Sequence, residues 1–91
     1  MNKSVIEKKV AEYFLNEFNV EFNDKNKDFN VFEIYKKLSS REVLYIVYLV
    51  LKDYGIELKK IPPYTNDVTF NNLVQYLVYC VEVKLKPQKF Q

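Results

Sequence analysis

Ser39-Ser40-Arg41-Glu42-Val43-Leu44-Tyr45-Ile46-Val47-Tyr48-Leu49-Val50-Leu51-Lys52-Asp53-Tyr54-Gly55 reads as one helix with a start and a stop written into it. The run Ser39-Ser40-Arg41-Glu42 is a capping box, in which a hydroxyl and a carboxylate three residues apart satisfy the first free N–H groups. Val43, Leu44, Ile46, Val47, Val50, Leu51 and Tyr54 then leave little of the circumference polar. A helix apolar most of the way round is either central or turns an apolar side toward a partner. Gly55 follows where a left-handed C-terminal cap favours glycine.

Downstream, Ile56-Glu57-Leu58 leads to Lys59-Lys60-Ile61-Pro62-Pro63, where two prolines forbid a continuing helix. A short helical turn or irregular connection is expected from there to Val68. Thr69 is the N-cap of a last helix, whose buried face is Phe70, Leu73, Val74, Leu77, Val78 and Val81. Upstream, Ser4 with Glu7 reads as another capping box, and Ile6, Val10, Phe14 and Phe18 form an apolar stripe to about Phe18, with Tyr13 beside it. Asn23-Asp24-Lys25-Asn26-Lys27-Asp28 is turn-rich, so residues 19–38 are expected to form a long connection. Phe29, Phe32, Ile34 and Leu38 would pin that connection to the core. One glycine in 91 residues argues against a multi-hairpin sheet.

The outcome is an all-α single domain over 1–91: three main helices and a short third helix or turn, with a core over about 4–82. Pro87 and the lysines at 84, 86 and 89 predict that 83–91 is a frayed basic tail.

Composition removes several kinds of chemistry. With no histidine, no imidazole base or ligand is available. One cysteine, Cys80, permits neither an intrachain disulfide nor an all-cysteine zinc site, and it reads as a small core residue. Fourteen Lys plus Arg against twelve Asp plus Glu leave +2, too small a surplus for an electrostatic nucleic-acid binder. A helical DNA binder would carry a stronger basic face. No apolar run approaches the ~20 residues of a membrane span, and residues 1–9 hold no apolar run of signal-peptide length, so none is expected. A cytoplasmic monomer, free of membrane and nucleic acid, is the expectation. No metal cluster and no nucleophile with a base is visible, so the expectation is that this is not an enzyme.

The order of these segments resembles acyl carrier proteins over roughly residues 4–82. In that family a D-S-L motif opens the second helix, and an aromatic-Gly-Ile-x-Ile/Leu run closes it. Tyr54-Gly55-Ile56-Glu57-Leu58 matches the closing run, and counting back fifteen residues from Gly55 reaches Ser40. Thr69-Phe70-Asn71-Asn72-Leu73-Val74-Gln75-Tyr76-Leu77 is similar to the family's fourth helix, and Ser4-Val5-Ile6-Glu7-Lys8-Lys9-Val10 to its first. Val31-Phe32-Glu33-Ile34 resembles the F-x-E-L that precedes the serine in many carrier domains.

The resemblance implies an acyl-carrier-like four-helix bundle. Ser40 would bear a covalent 4′-phosphopantetheine arm, with an acyl or aminoacyl thioester serving a specialised biosynthetic pathway. A phosphopantetheinyl transferase and biosynthetic enzymes would be its partners. Departures fall in the motif itself: Ser39 stands in the aspartate's place and Arg41 in the leucine's. Where the family shows carboxylates to its partners, this chain has Arg41, Tyr45, Tyr48 and Lys52, which become the candidate partner-binding residues; Glu42 and Asp53 remain acidic.

Each assignment has a plainer alternative. Ser-Ser-x-Glu starts a helix in any bundle. Tyr45 and Tyr48 would equally pack against the 29–38 connection, and Arg41 and Lys52 would be solvated helix charges. The competing function is a non-acylated, carrier-like interaction module that docks a biosynthetic or peptide-maturation enzyme.

Overall fold

In a computed structural model, residues 3–85 are described. They form four α-helices: α1 (Lys3–Phe18), α2 (Val31–Ile34), α3 (Ser40–Asp53) and α4 (Phe70–Leu85). A single 3-10 turn covers Leu58–Lys60. No strand occurs among the described residues, whose one bridge pairs Asn30 with Thr69. The chain is a small helical bundle in which α1, α3 and α4 each pack against the other two.

The stripe of α1 supplies Ile6, Val10 and Phe14 to the core, all fully buried. Phe18, at its end, is only half-buried and faces Tyr45 instead. The helix already includes Lys3, so Ser4 lies inside it and not at the expected cap position. Nothing in Lys3-Ser4 interrupts helical backbone, and the first turn extends upstream of the Ser-x-x-Glu pair.

α3 contributes Val43, Ile46, Val47, Val50 and Leu51 to the core, and α4 contributes Phe70, Leu73, Val74, Leu77, Cys80 and Val81. Both of its ends follow the sequence. Ser39 is the N-cap, and Gly55 adopts φ +69°. The Gly55 N–H bonds Lys52 O at 3.1 Å and the Ile56 N–H bonds Leu51 O at 3.0 Å, the paired bonds of a Schellman cap. A Cβ at Gly55 would meet no atom within 4 Å, so only the left-handed backbone opposes a side chain there. Gly55→Ala should therefore cost about 1–2 kcal/mol in urea unfolding, with the spectrum of the folded state unchanged.

The 19–38 connection is more tightly built than its composition predicts. Val20 is fully buried, and Phe22 stacks on Phe70 at 5.0 Å while meeting Phe14 edge-on at 5.0 Å. The Asn26 side chain accepts from the Asn23 N–H at 2.8 Å and donates to Glu21 O at 3.1 Å, holding the turn. Asn30 caps α2 by accepting from the Phe32 N–H at 2.9 Å. Val31 N–H to Val68 O, 2.8 Å, and Asn71 N–H to Lys27 O, 3.1 Å, fasten the connection to the start of α4.

Of the four pins expected here, Leu38 is buried and Phe32 and Ile34 are half-buried. Phe29 is 56% exposed, and the ring of this connection that packs beside Phe70 is Phe22. From Ile61 to Val68 the chain takes the irregular of the two expected forms, with the 3-10 turn just before Pro62-Pro63. The remaining difference is of position. α4 runs on to Leu85, so 83–85 belong to the helix and not to a tail. The rest of the expected tail, with Lys86, Pro87 and Lys89, lies outside the described residues.

Candidate functional site

Ser39 and Ser40 have separate positions at the head of α3. The Ser39 N–H donates to Glu42 Oε1 at 2.8 Å, and the Ser39 hydroxyl donates to the same oxygen. These bonds hold the Glu42 carboxyl below its ordinary range. Ser39 and Glu42 are thus committed to the cap. Ser40 is the first helical residue, exposed and outside the cap hydrogen bonds. Its hydroxyl stands where free N–H groups and the helix dipole favour an attached anion.

Ser40 also lies on the rim of an apolar groove of about 400 Å³. Val43, Leu44 and Val47 of α3 form one wall, and Leu73 and Tyr76 of α4 the other. Phe32 of α2 also lines it. The strap over 58–68 adds Leu58, Ile61, Pro62, Pro63, Tyr64 and Val68 to the lining. Two tyrosines fasten that strap: Tyr76 Oη donates to Pro62 O, and Tyr64 Oη donates to Asp67 O at 2.7 Å. Their rings meet edge-on at 5.0 Å. Burial pushes both phenols up, so they remain protonated donors at neutral pH. Neither tyrosine's role was legible in the sequence, where Tyr76 was one letter in a helical pattern and Tyr64 one in a proline-rich connection.

The four candidate partner-binding residues share the exposed side of α3. Leu44 beside them is 51% exposed, Tyr45 42% and Tyr48 41%. Tyr45 and Tyr48 stack on each other at 6.3 Å and 23°, Phe18 meets Tyr45 edge-on at 6.3 Å, and Lys52 Nζ lies 5.9 Å from the Tyr48 ring centre. The tyrosines thus make ring contacts with one another and with the end of α1.

Asp53, the other acid of α3, is turned to α1. It accepts from Tyr13 Oη at 2.7 Å and from Lys9 Nζ at 3.1 Å. The Tyr13 hydrogen bond, followed by Lys9, holds the Asp53 carboxyl below its ordinary range, and the same bond pushes the Tyr13 phenol up to about 12. Because the folded-state values of Glu42 and Asp53 are depressed, their stabilisation is present above the unfolded carboxylate range. It is lost as pH falls through the depressed values, below about pH 4. Asp53→Asn combined with Glu42→Gln should flatten the acid limb of a stability–pH profile measured by urea unfolding. The tyrosine runs the other way: the Tyr13 contribution is present below about pH 10 and is lost as pH rises through about 12.

Cys80 is buried, and burial pushes its thiol up, which leaves little thiolate for chemistry. Among the described residues no cluster of His, Cys, Asp and Glu is placed to hold a metal ion, and no helix is long and apolar enough to cross a membrane. Comparison with family models, with curated proteins and with solved structures returns no match.

Proposed function

We propose that the chain is an acyl-carrier-like protein. It would hold an acyl or aminoacyl thioester on a 4′-phosphopantetheine arm attached to Ser40, for a specialised biosynthetic pathway. The observation that carries the reading is Ser40 itself: exposed, in the first turn of α3, free of the cap, and on the rim of an apolar groove. The residues fit the group. The Ser40 hydroxyl is the attachment atom, the N-terminus of α3 suits a phosphodiester, and the groove suits an apolar cargo. When bound, the arm supplies the thiol on which the thioester forms, so the chain needs no catalytic side chain of its own. A phosphopantetheinyl transferase and the enzymes that load and unload the cargo are the partners this reading requires.

Co-expression with a broad-specificity phosphopantetheinyl transferase, followed by intact-mass measurement, tests it. The wild-type chain should gain the mass of one arm, and Ser40→Ala should gain none. An unmodified wild type, or the same gain on Ser40→Ala, removes the reading.

A second reading is favoured by the exposed Tyr45–Tyr48 stack and by Arg41 within the motif. Here the chain is a non-acylated interaction module that docks a biosynthetic or peptide-maturation enzyme through α3. Capture of such an enzyme should survive Ser40→Ala and weaken with Tyr45→Ala and Tyr48→Ala. Equal capture by all three variants would count against it.

A further inference from the structure

Arg41, Leu44, Tyr45, Tyr48 and Lys52 fall on one side of α3, at steps of three and four residues, over about 16 Å of helix. The two carboxylates of the same helix are used inside the molecule, Glu42 by Ser39 and Asp53 by Lys9 and Tyr13. Among the described residues, neither Arg41 nor Lys52 has an acidic side chain at ion-pair distance. The stripe is therefore an apolar and aromatic centre with one cation at each end. That is the layout of an interface core inside a charged rim.

We propose that this stripe docks an acidic amphipathic segment of a protein partner, whose apolar side chains cover Leu44, Tyr45 and Tyr48 while its carboxylates meet Arg41 and Lys52. Charge complementarity selects this occupant. A second copy of the chain suits it less: with the two helices aligned in register, a two-fold axis sets cation against cation for parallel and antiparallel runs alike. Single-stranded nucleic acid fits less well. A base needs a free ring face, but Tyr45 and Tyr48 stack on each other, and Lys52 covers Tyr48. Two cations at opposite ends also make a weak lipid-surface patch.

The proposal rests on α3 being a docking helix, as both functional readings require, but not on Ser40 carrying an arm. The test therefore uses the Ser40→Ala chain, so that its failure and a failure of arm attachment remain distinct. The immobilised chain is offered a displayed library of random helical peptides, and the enriched sequences are read. They should be net acidic, with apolar anchors on one face. A synthetic copy of the best peptide should lose at least about tenfold in affinity to Arg41→Glu combined with Lys52→Glu, and again to Tyr45→Ala combined with Tyr48→Ala. All four side chains are exposed, and since Tyr45 also meets Phe18 of α1, circular dichroism of each double variant must first match that of the parent.

No enrichment, or enrichment of neutral or basic peptides, overturns the proposal. So does an acidic peptide whose affinity survives both double variants. Binding of an oligothymidylate or of phosphatidylserine vesicles that the same variants abolish would overturn it in favour of those partners.

Discussion

Phe14→Ala is expected to remove about 3–5 kcal/mol of stability, the usual loss for a phenylalanine excised from a packed core. A chain of 91 residues has only about 5–14 kcal/mol in total, so about a fifth or more goes with one side chain. The loss should sit at the high end for a specific reason. Phe14 is the largest fully buried side chain, and its ring meets Phe22 edge-on, while Phe22 stacks on Phe70. These three rings join α1, the 19–38 connection and α4. The cavity left by Phe14 therefore opens between separate segments, and no single side chain can move to fill it. Urea unfolding followed by circular dichroism checks the value. Leu15→Ala, one residue on and exposed, should stay within about 1 kcal/mol of the parent. Equal losses at the two positions would mean that the ring cluster does not hold α1 in place.

That cluster also marks where the sequence stops being readable. Ile6, Val10 and Phe14 were visible as a stripe because a helix repeats every 3.6 residues, and α3 was visible because its cap and its stop are local chemistry. Val20 and Phe22 obey no period. Val20 is buried and Phe22 packs on the core where asparagine side chains fold the backbone around residues 21–26 and α4 lies alongside, and both are tertiary facts. The groove was hidden for the same reason. Its lining comes from α2, α3, α4 and the 58–68 strap, and Tyr76 reaches Pro62 O, fourteen residues away, across it. The resemblance to carrier proteins singles out Ser40, fifteen residues before Gly55. The rim of the groove beside it appears only when the segments are assembled.

The two adjacent serines give the second large effect, and one that separates the carrier reading from simple helix capping. Ser39→Ala should lower stability by about 0.5–2 kcal/mol, because its bonds to Glu42 form the cap of α3. It should leave attachment of a phosphopantetheine arm in place, since Ser40 keeps its hydroxyl and its position. Ser40→Ala should do the reverse. A first-turn serine outside the cap gives up almost nothing when shortened to alanine, a good helix former, yet arm attachment should fall from complete to nil because the attachment oxygen is gone. Urea unfolding and intact-mass measurement on the same two proteins read both effects. If capping were the whole purpose of the pair, the mass would stay that of the bare chain in both variants and in the parent, and only Ser39→Ala would change anything. If the arm were carried by Ser39, the loss of mass would follow Ser39→Ala, and the groove beside Ser40 would have no bearing on the cargo. The double dissociation, stability lost at one serine and modification lost at its neighbour, is the outcome expected from a helix whose cap and whose attachment point are different residues.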